Sequence, residues 1–272
     1  ARARDERCPR REGSSSMPSR TAGARLGDTG ARFVLSYPNE KLAVFAASLI
    51  GFFLLGFLIR YVVQHVLGVK APPNILSNTV STLHALIVVS TAAYTFINGD
   101  GDIGSGAEAS WIGSVGLVIS AAYFIWDIHN MIVTGFEPLV PLLLHHVISG
   151  ISMAVIAGWV PRAVWYTCIL QMTEGTVPIS NVVTLLEWRQ KQHSTAYVLG
   201  RWALLIVWLV LRIAIVLYFL FPVWRDWAGM TDIMHFLALN GPALLVFNIG
   251  ALFSMVLKGF PWLGGDSKAK QS

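Results

Sequence analysis

Four ionisable side chains in this sequence carry reactive chemistry inside apolar surroundings. His145 and His146 are adjacent and follow three leucines, while Asp127 and Glu174 each lie within another apolar stretch. A neutral imidazole can act as a nucleophile, a base or a metal ligand, and a nearby carboxylate can orient it or accept its proton. The sequence therefore indicates His145, His146, Asp127 and Glu174 as candidate catalytic residues. The alternative is that these groups only bond neighbouring helices together.

Five more polar side chains lie in similar surroundings and are candidates for lipid binding. They are His84, Tyr123, Gln171, Asn181 and Asn240. A polar group in hydrocarbon is costly and tends to face an interior cavity. Helical spacing supports this expectation, because Gln171, Glu174 and Asn181 share one face of a helix. No metal is expected, since one histidine pair and scattered single histidines do not supply the ligand clusters of a metal centre.

A proline in the stretch that contains Glu174 predicts a break in the helix. Pro178 cannot donate to the carbonyl four residues back, which belongs to Glu174. We therefore expect a kink that leaves this carbonyl unpaired beside the carboxyl group of the same residue. Irregular backbone at membrane depth is tolerated only where protein or cavity water satisfies it. One cavity should then be bordered by His145, His146, Asp127, Glu174 and Asn181.

Composition places these residues in a membrane protein. Hydrophobic residues make up 54% of the 272 residues and charged residues only 13%, about half of the usual ~25%. This excludes a water-soluble enzyme and a disordered chain, and the two cysteines exclude a disulfide scaffold. Apolar runs of about 20 residues, enough to cross the hydrocarbon layer, recur along the chain. They predict an all-α bundle of about seven transmembrane helices at 42–64, 76–97, 112–133, 139–159, 163–186, 201–221 and 234–257.

The first 41 residues differ sharply from the rest. They are rich in arginine, glycine and serine and too polar to pack, so we predict a disordered basic tail over 1–41. Binding of this tail to anionic lipid headgroups is the alternative to a merely solvated segment. The net charge of +5 does not indicate nucleic-acid binding, because the basic residues collect in this tail and beside the predicted helices.

Lysine and arginine near the helix ends predict the orientation in the membrane. One end collects Arg60, Lys70, Arg189, Lys191, Arg201, Lys258, Lys268 and Lys270. We expect this end to be cytosolic, together with a C-terminal tail over 259–272, and the N-terminus to lie outside or in the lumen. Lys268 and Lys270 resemble a dilysine retrieval signal. This predicts the endoplasmic reticulum, with the plasma membrane as the alternative.

The order of the polar segments resembles the TLC-domain family, which includes ceramide synthases and smaller lipid-homeostasis proteins. The segments that carry the resemblance are Ser81-Thr82-Leu83-His84, Tyr123-Phe124-Ile125-Trp126-Asp127, His145-His146, Glu174-Gly175-Thr176-Val177-Pro178-Ile179-Ser180-Asn181 and Asn240. The resemblance covers about 78–258. It implies a TLC domain over 76–258, preceded by a first transmembrane helix and loop over 42–70. It also implies a six-helix barrel around a cavity that holds the histidine pair and admits lipid or acyl chains.

The second motif of the family narrows the function that the resemblance implies. Ceramide synthases carry a His-Asp-x-Ser-Asp motif, whereas the matching stretch here is Thr173-Glu174-Gly175-Thr176-Val177. The smaller members of the family are the better match. They imply a role in membrane lipid homeostasis, through binding or modulating phospholipid and acyl-chain composition.

The alternative function is acyl transfer from coenzyme A to an amine. His145 or His146 would take the acyl group, and Asp127 or Glu174 would set the tautomer or accept a proton. Acyl-CoA would then be a co-substrate, and no other cofactor is expected. The expected partners are the lipid bilayer and a membrane lipid or acyl chain, not nucleic acid. The sequence indicates no particular protein partner.

Overall fold

The computed structural model describes residues 29–98, 107–135, 139–160, 163–229, 232, 235 and 238–259. The helices are α1 (Thr29–Tyr61), α2 (Pro73–Asn98), α3 (Ala107–Thr134), α4 (Leu139–Trp159), α5 (Val164–Gln171), α6 (Val177–Trp188), α7 (Thr195–Val207), α8 (Ile215–Asp226) and α9 (Asn240–Gly259). Short turns of other helical types lie between or after them: π-helical at Val62–Val66 and Trp208–Ala214, and 3₁₀ at Met172–Thr176 and Trp227–Gly229.

The chain divides within α1 into two compact units, residues 1–37 and 38–272. The first unit is described from Thr29 onwards, as helical backbone. The predicted basic tail therefore lies outside the described residues over 1–28, whereas residues 29–41 are helical. Lys268, Lys270 and the predicted C-terminal tail beyond Gly259 also lie outside the described residues.

Six helices of the described chain are long and apolar enough to cross a membrane: Asn39–Val66, Pro73–Asn98, Trp111–Thr134, Leu142–Trp159, Thr195–Asp226 and Asn240–Leu257. They correspond to six of the predicted spans. The last span begins later than the predicted residue 234, because Asn240 and Pro242 suit a helix start, where a missing N–H is harmless. The predicted span over 163–186 is not one helix but α5 and α6 joined by the 3₁₀ turn.

The outer surface of these helices is strongly apolar. Phe57 is 71% exposed, Val246 is 73% exposed and Trp224 is 84% exposed. Helices can present such a surface to lipid because all their backbone hydrogen bonds are internal. The described chain is therefore a multi-pass helical membrane protein.

Contacts between neighbouring helices arrange six segments in a ring: α2, α3, α4, α5–α6, α7–α8 and α9. In the ring α3 packs against α2 and α4, α2 packs against α5 and α6, and α8 packs against α5 and α9. The ring closes between α4 and α9, where Asn240 donates to Ser152 and Phe247 stacks on His145. The remaining helix, α1, packs on α3 through Phe52 and Trp126. This arrangement fits the barrel that the family resemblance implies.

Small residues bring α2 and α3 into close contact. A Cβ atom on Gly116 would lie 2.3 Å from Thr91 Oγ1, and one on Gly113 would lie 2.8 Å from Thr95 Oγ1. Glycine at both positions thus lets the two backbones approach, as small residues do between membrane helices. The close fit fixes the rotation of α3, which carries Tyr123, Phe124 and Asp127.

Candidate functional site

A cavity of about 260 Å³ lies inside the ring, between α3, α4, α5, α8 and α9. Four of the predicted site residues border this central cavity: His145, Gln171, Glu174 and Asn240. Much of the remaining wall is apolar and includes Met153, Ile156, Leu170, Phe219, Val223 and Phe247. An apolar wall with a few polar groups is typical of a site that holds a small organic ligand.

His145 presents its imidazole to the cavity from α4. The ring stacks on Phe247 of α9, with the two planes 8° apart and the centroids 5.5 Å apart. Its Nδ1 atom lies 3.5 Å from the hydroxyl oxygen of Ser149, one helical turn further along. Stacking therefore holds the ring, and its polar contact with Ser149 is long for a hydrogen bond.

His146 does not border the cavity, so the expectation that both histidines border it is not met. Adjacent residues of a helix point about 100° apart, and the rotation of α4 brings only His145 to the wall. His146 is buried against α3, where its Nδ1 lies 3.1 Å from Asp127 Oδ2, although the angle is poor for a hydrogen bond. Asp127 is therefore paired with His146 and is also absent from the cavity wall.

His84 and Tyr123 form a buried stack beside the cavity rather than part of its wall. Their ring centroids are 3.8 Å apart and the rings are nearly parallel. His84 Nε2 lies 3.1 Å from the hydroxyl oxygen of Ser120, which also accepts a hydrogen bond of 2.6 Å from Gln171 Nε2. Gln171 thus links this stack to the cavity, which it borders itself.

The helix that contains Glu174 breaks where the proline predicts, but the expected unpaired carbonyl is not there. The chain tightens into the 3₁₀ turn over Met172–Thr176, and Pro178 lies in the first turn of α6. The backbone N–H of Val177 donates to the carbonyl of Glu174. The tighter turn shifts each hydrogen bond by one residue, so Val177 replaces the donor that Pro178 lacks.

Glu174 borders the cavity in front of a buried arginine from the neighbouring segment of the ring, α7–α8. Arg212 lies in the π-helical turn between α7 and α8, and its Nη2 is 3.8 Å from Glu174 Oε1. The guanidinium also donates a hydrogen bond of 2.9 Å to the hydroxyl of Thr176 and lies 4.9 Å from the ring centroid of Trp208. From the sequence alone, Arg212 had no assigned partner.

Of the two remaining amide candidates, Asn181 lies away from the cavity and Asn240 borders it. Asn181 ties α6 to α2, since its Nδ2 lies 2.8 Å from the carbonyl oxygen of Asn78 and 2.8 Å from the hydroxyl oxygen of Ser81. It does not border the cavity, which corrects the expectation that it would. Asn240 does border the cavity and donates to the hydroxyl of Ser152 across 3.2 Å.

Several polar wall residues were not found from the sequence. They are Ser149, Ser152, Tyr166, Thr167 and Thr173. The sequence could have indicated Ser149 and Ser152, because their spacing from His145 places all three on one face of a helix. The threonines gave no such signal, since a threonine in a membrane helix commonly bonds its own backbone. Thr167 does so here with the carbonyl of Ala163.

The cavity is suited to holding a ligand, and neither of the two candidate carboxylates is paired with His145. Asp127 lies against His146, and Glu174 lies nearest to Arg212. Over the described ranges, no three histidine, cysteine, aspartate or glutamate side chains come together in a way that could hold a metal ion.

The fold and cavity define the class of protein as a multi-pass helical membrane protein with an internal pocket. Within that class, the family model of the TLC domain matches residues 74–262, and the chain belongs to the TLC-domain family. This match confirms the resemblance found in the sequence over about 78–258. The comparison with curated proteins and the comparison with solved structures give no match.

Proposed function

We propose that this TLC-domain protein binds the acyl chain of a membrane lipid in the central cavity and thereby acts in membrane lipid homeostasis. The observation that carries the proposal is a cavity of about 260 Å³ within the membrane-spanning ring, with a largely apolar wall. Apolar side chains such as Ile156, Leu170 and Phe219 suit a hydrocarbon chain. The polar groups of His145, Glu174 and Asn240 suit its polar end.

Acyl transfer is supported less well by the same geometry. Neither of the two candidate carboxylates is paired with His145, the imidazole that borders the cavity. A nucleophilic imidazole normally needs such a partner to set its tautomer. Incubation of the purified protein with acyl-CoA, followed by intact-mass measurement, separates the two functions, since transfer through His145 requires an acyl adduct that His145→Ala lacks.

Filling the cavity tests lipid binding directly. We expect Ser152→Phe, which adds a ring inside the cavity, to lower the amount of lipid that copurifies with the protein several-fold. In cells that lack the protein, we expect the parent to restore the phospholipid acyl-chain profile and Ser152→Phe not to restore it. Mass spectrometry of copurified lipid and of total cell lipid measures both effects.

Two control variants on α4 isolate the effect of cavity volume. Ala154→Phe adds the same ring on the exposed side of α4 and should retain lipid like the parent. Ser152→Ala removes only the hydroxyl that accepts from Asn240 and should retain most of the lipid. Equal lipid content in Ser152→Phe and the parent, together with an unchanged acyl-chain profile in cells lacking the protein, would exclude the proposal.

The proposed location is the endoplasmic reticulum membrane. The basis is the pair Lys268 and Lys270, which resembles a dilysine retrieval signal. Such a signal works only on the cytosolic side of the membrane. The expected partners are the bilayer itself and the lipid bound in the cavity.

A further inference from the structure

Glu174 is a largely buried carboxylate that accepts no hydrogen bond from the described part of the chain. Its side chain is only 15% exposed, and it borders the central cavity. Its nearest cation, Arg212, stays 3.8 Å away and donates instead to Thr176. Among the described residues no donor reaches either carboxylate oxygen. A buried carboxylate without donors is costly, so this part of the wall suits a ligand that donates a hydrogen bond.

Four other polar groups of the wall donate a hydrogen within the protein. The hydroxyls of Thr173 and Thr167 donate to the carbonyls of Leu170 and Ala163 at 2.7 and 2.8 Å. Tyr166 donates to Asp226, and the amide of Asn240 donates to Ser152. These three hydroxyls therefore offer no hydrogen to a ligand that only accepts hydrogen bonds.

The charge of Glu174 is balanced before any ligand arrives. Arg212 lies behind it, outside the cavity wall, and offsets the carboxylate by proximity. An anionic headgroup would meet the carboxylate before the guanidinium. An ammonium headgroup would lose its hydration, and the pair of Glu174 and Arg212, whose net charge is zero, would not compensate for that loss. A neutral donor meets neither cost.

We infer that the central cavity selects lipids with a neutral hydroxyl headgroup, which donates to Glu174, over lipids whose headgroup is a carboxylate or an amine. The inference rests on the proposed function, because it names the chemistry of the lipid that the cavity holds. A long-chain alcohol and a monoacylglycerol share this chemistry.

Lipid probes with one hydrocarbon chain and different headgroups test the selectivity. The probes are oleyl alcohol, 1-monooleoylglycerol, oleylamine, and oleate in mildly alkaline buffer. Equilibrium competition measures their relative affinities for the full chain in lipid nanodiscs. We expect oleyl alcohol to bind about ten-fold more tightly than oleate or oleylamine, the ratio that one hydrogen bond to a charged group supplies. Comparison of oleyl alcohol with monooleoylglycerol shows whether a free alcohol or a glycerol headgroup is the preferred source of the hydroxyl.

Two variants should shift the selectivity in opposite directions. Glu174→Gln leaves Arg212 unbalanced and should turn the preference toward oleate, whereas Arg212→Gln leaves Glu174 unbalanced and should turn it toward oleylamine. If one variant does not fold, the other and the parent still decide the question. Glu187→Gln is the matched control. It changes a carboxylate 3.6 Å from Arg201, away from the cavity, and should keep the selectivity of the parent.

The outcomes separate this inference from the proposed function. If all probes bind the parent equally and Ser152→Phe abolishes their binding, the selectivity is wrong while lipid binding stands. Such a result would mean that water alone satisfies Glu174. Tightest binding of oleylamine or of oleate by the parent also overturns the inference. If no probe binds, or Ser152→Phe binds every probe like the parent, both the inference and the proposed function fail.

Discussion

At the scale of single residues, the two adjacent histidines have unlike surroundings. His145 stacks on Phe247 at the cavity wall, whereas His146 is buried against Asp127 of α3. Phe124 contacts both, with its ring centroid 6.3 Å from that of His145 and 4.9 Å from that of His146. His146 and Asp127 are therefore better explained as a contact that fixes α4 on α3, and His145 as a group available to a ligand.

The contact between His146 and Asp127 predicts a measurable coupling energy. Asp127→Asn keeps the size of the side chain but removes its charge, so we expect it to lower the free energy of unfolding by about 1–2 kcal/mol. A double-mutant cycle with His146→Gln should give a coupling of about 1 kcal/mol, because the two groups touch. Unfolding in mixed detergent micelles measures each variant. Additive effects would contradict a direct interaction.

Which residues border the cavity could not be predicted from the sequence. The polar residues themselves stand out, because each is an expensive group in an apolar stretch. The rotation of each helix decides which of them reach the wall. That rotation depends on packing between distant segments, such as Gly116 against Thr91. Hence the sequence identified His145 and Glu174 correctly as wall residues but placed His146, Asp127 and Asn181 beside them.

At the scale of elements, two interrupted helices face each other in the ring. The 3₁₀ turn over Met172–Thr176 packs against the π-helical turn over Trp208–Ala214. Glu174 lies in the first turn and Arg212 in the second. The first interruption follows from Pro178 in the sequence. The second has no proline or glycine within it, so only the structure reveals it.

The junction of α6 with α2 depends on one amide. Asn181 reaches a carbonyl and two hydroxyls of α2, each at 2.8 Å. We expect Asn181→Ala to lower the free energy of unfolding by about 1–2 kcal/mol, the upper range for polar contacts between membrane helices. Thr184→Ala is the control on the same helix, because Thr184 donates to the carbonyl of Ser180 within α6, and its effect should be smaller. Unfolding in mixed detergent micelles measures both variants. Equal losses of stability in Asn181→Ala and Thr184→Ala would exclude a special role for Asn181.

At the scale of the whole molecule, the described basic residues lie unevenly at the two ends of the ring. Packing of Trp188 near Ala71 and Ile75 places the end of α6 beside the start of α2. The side chains at this end include Arg60, Lys70, Arg189, Lys191 and Arg201. At the opposite end lie Lys41, which donates to the carbonyl of Ala157, and Arg225, whose charge is balanced by two hydrogen bonds of 2.7 Å to Asp226. The excess of positive charge therefore lies at the end that includes Lys191.

The positive end should face the cytosol, because basic residues are retained on that side of a membrane. Two exposed positions can be used to measure the orientation in the membrane: Lys191 between α6 and α7, and Ala228 after α8. In a Cys8→Ser background, where Cys168 is buried and shielded, a membrane-impermeant maleimide added to sealed microsomes should label Lys191→Cys. It should label Ala228→Cys only after detergent opens the vesicles. The reverse pattern would invert the orientation and remove the cytosolic position that the dilysine pattern requires, whereas the cavity and its proposed ligand would be unaffected.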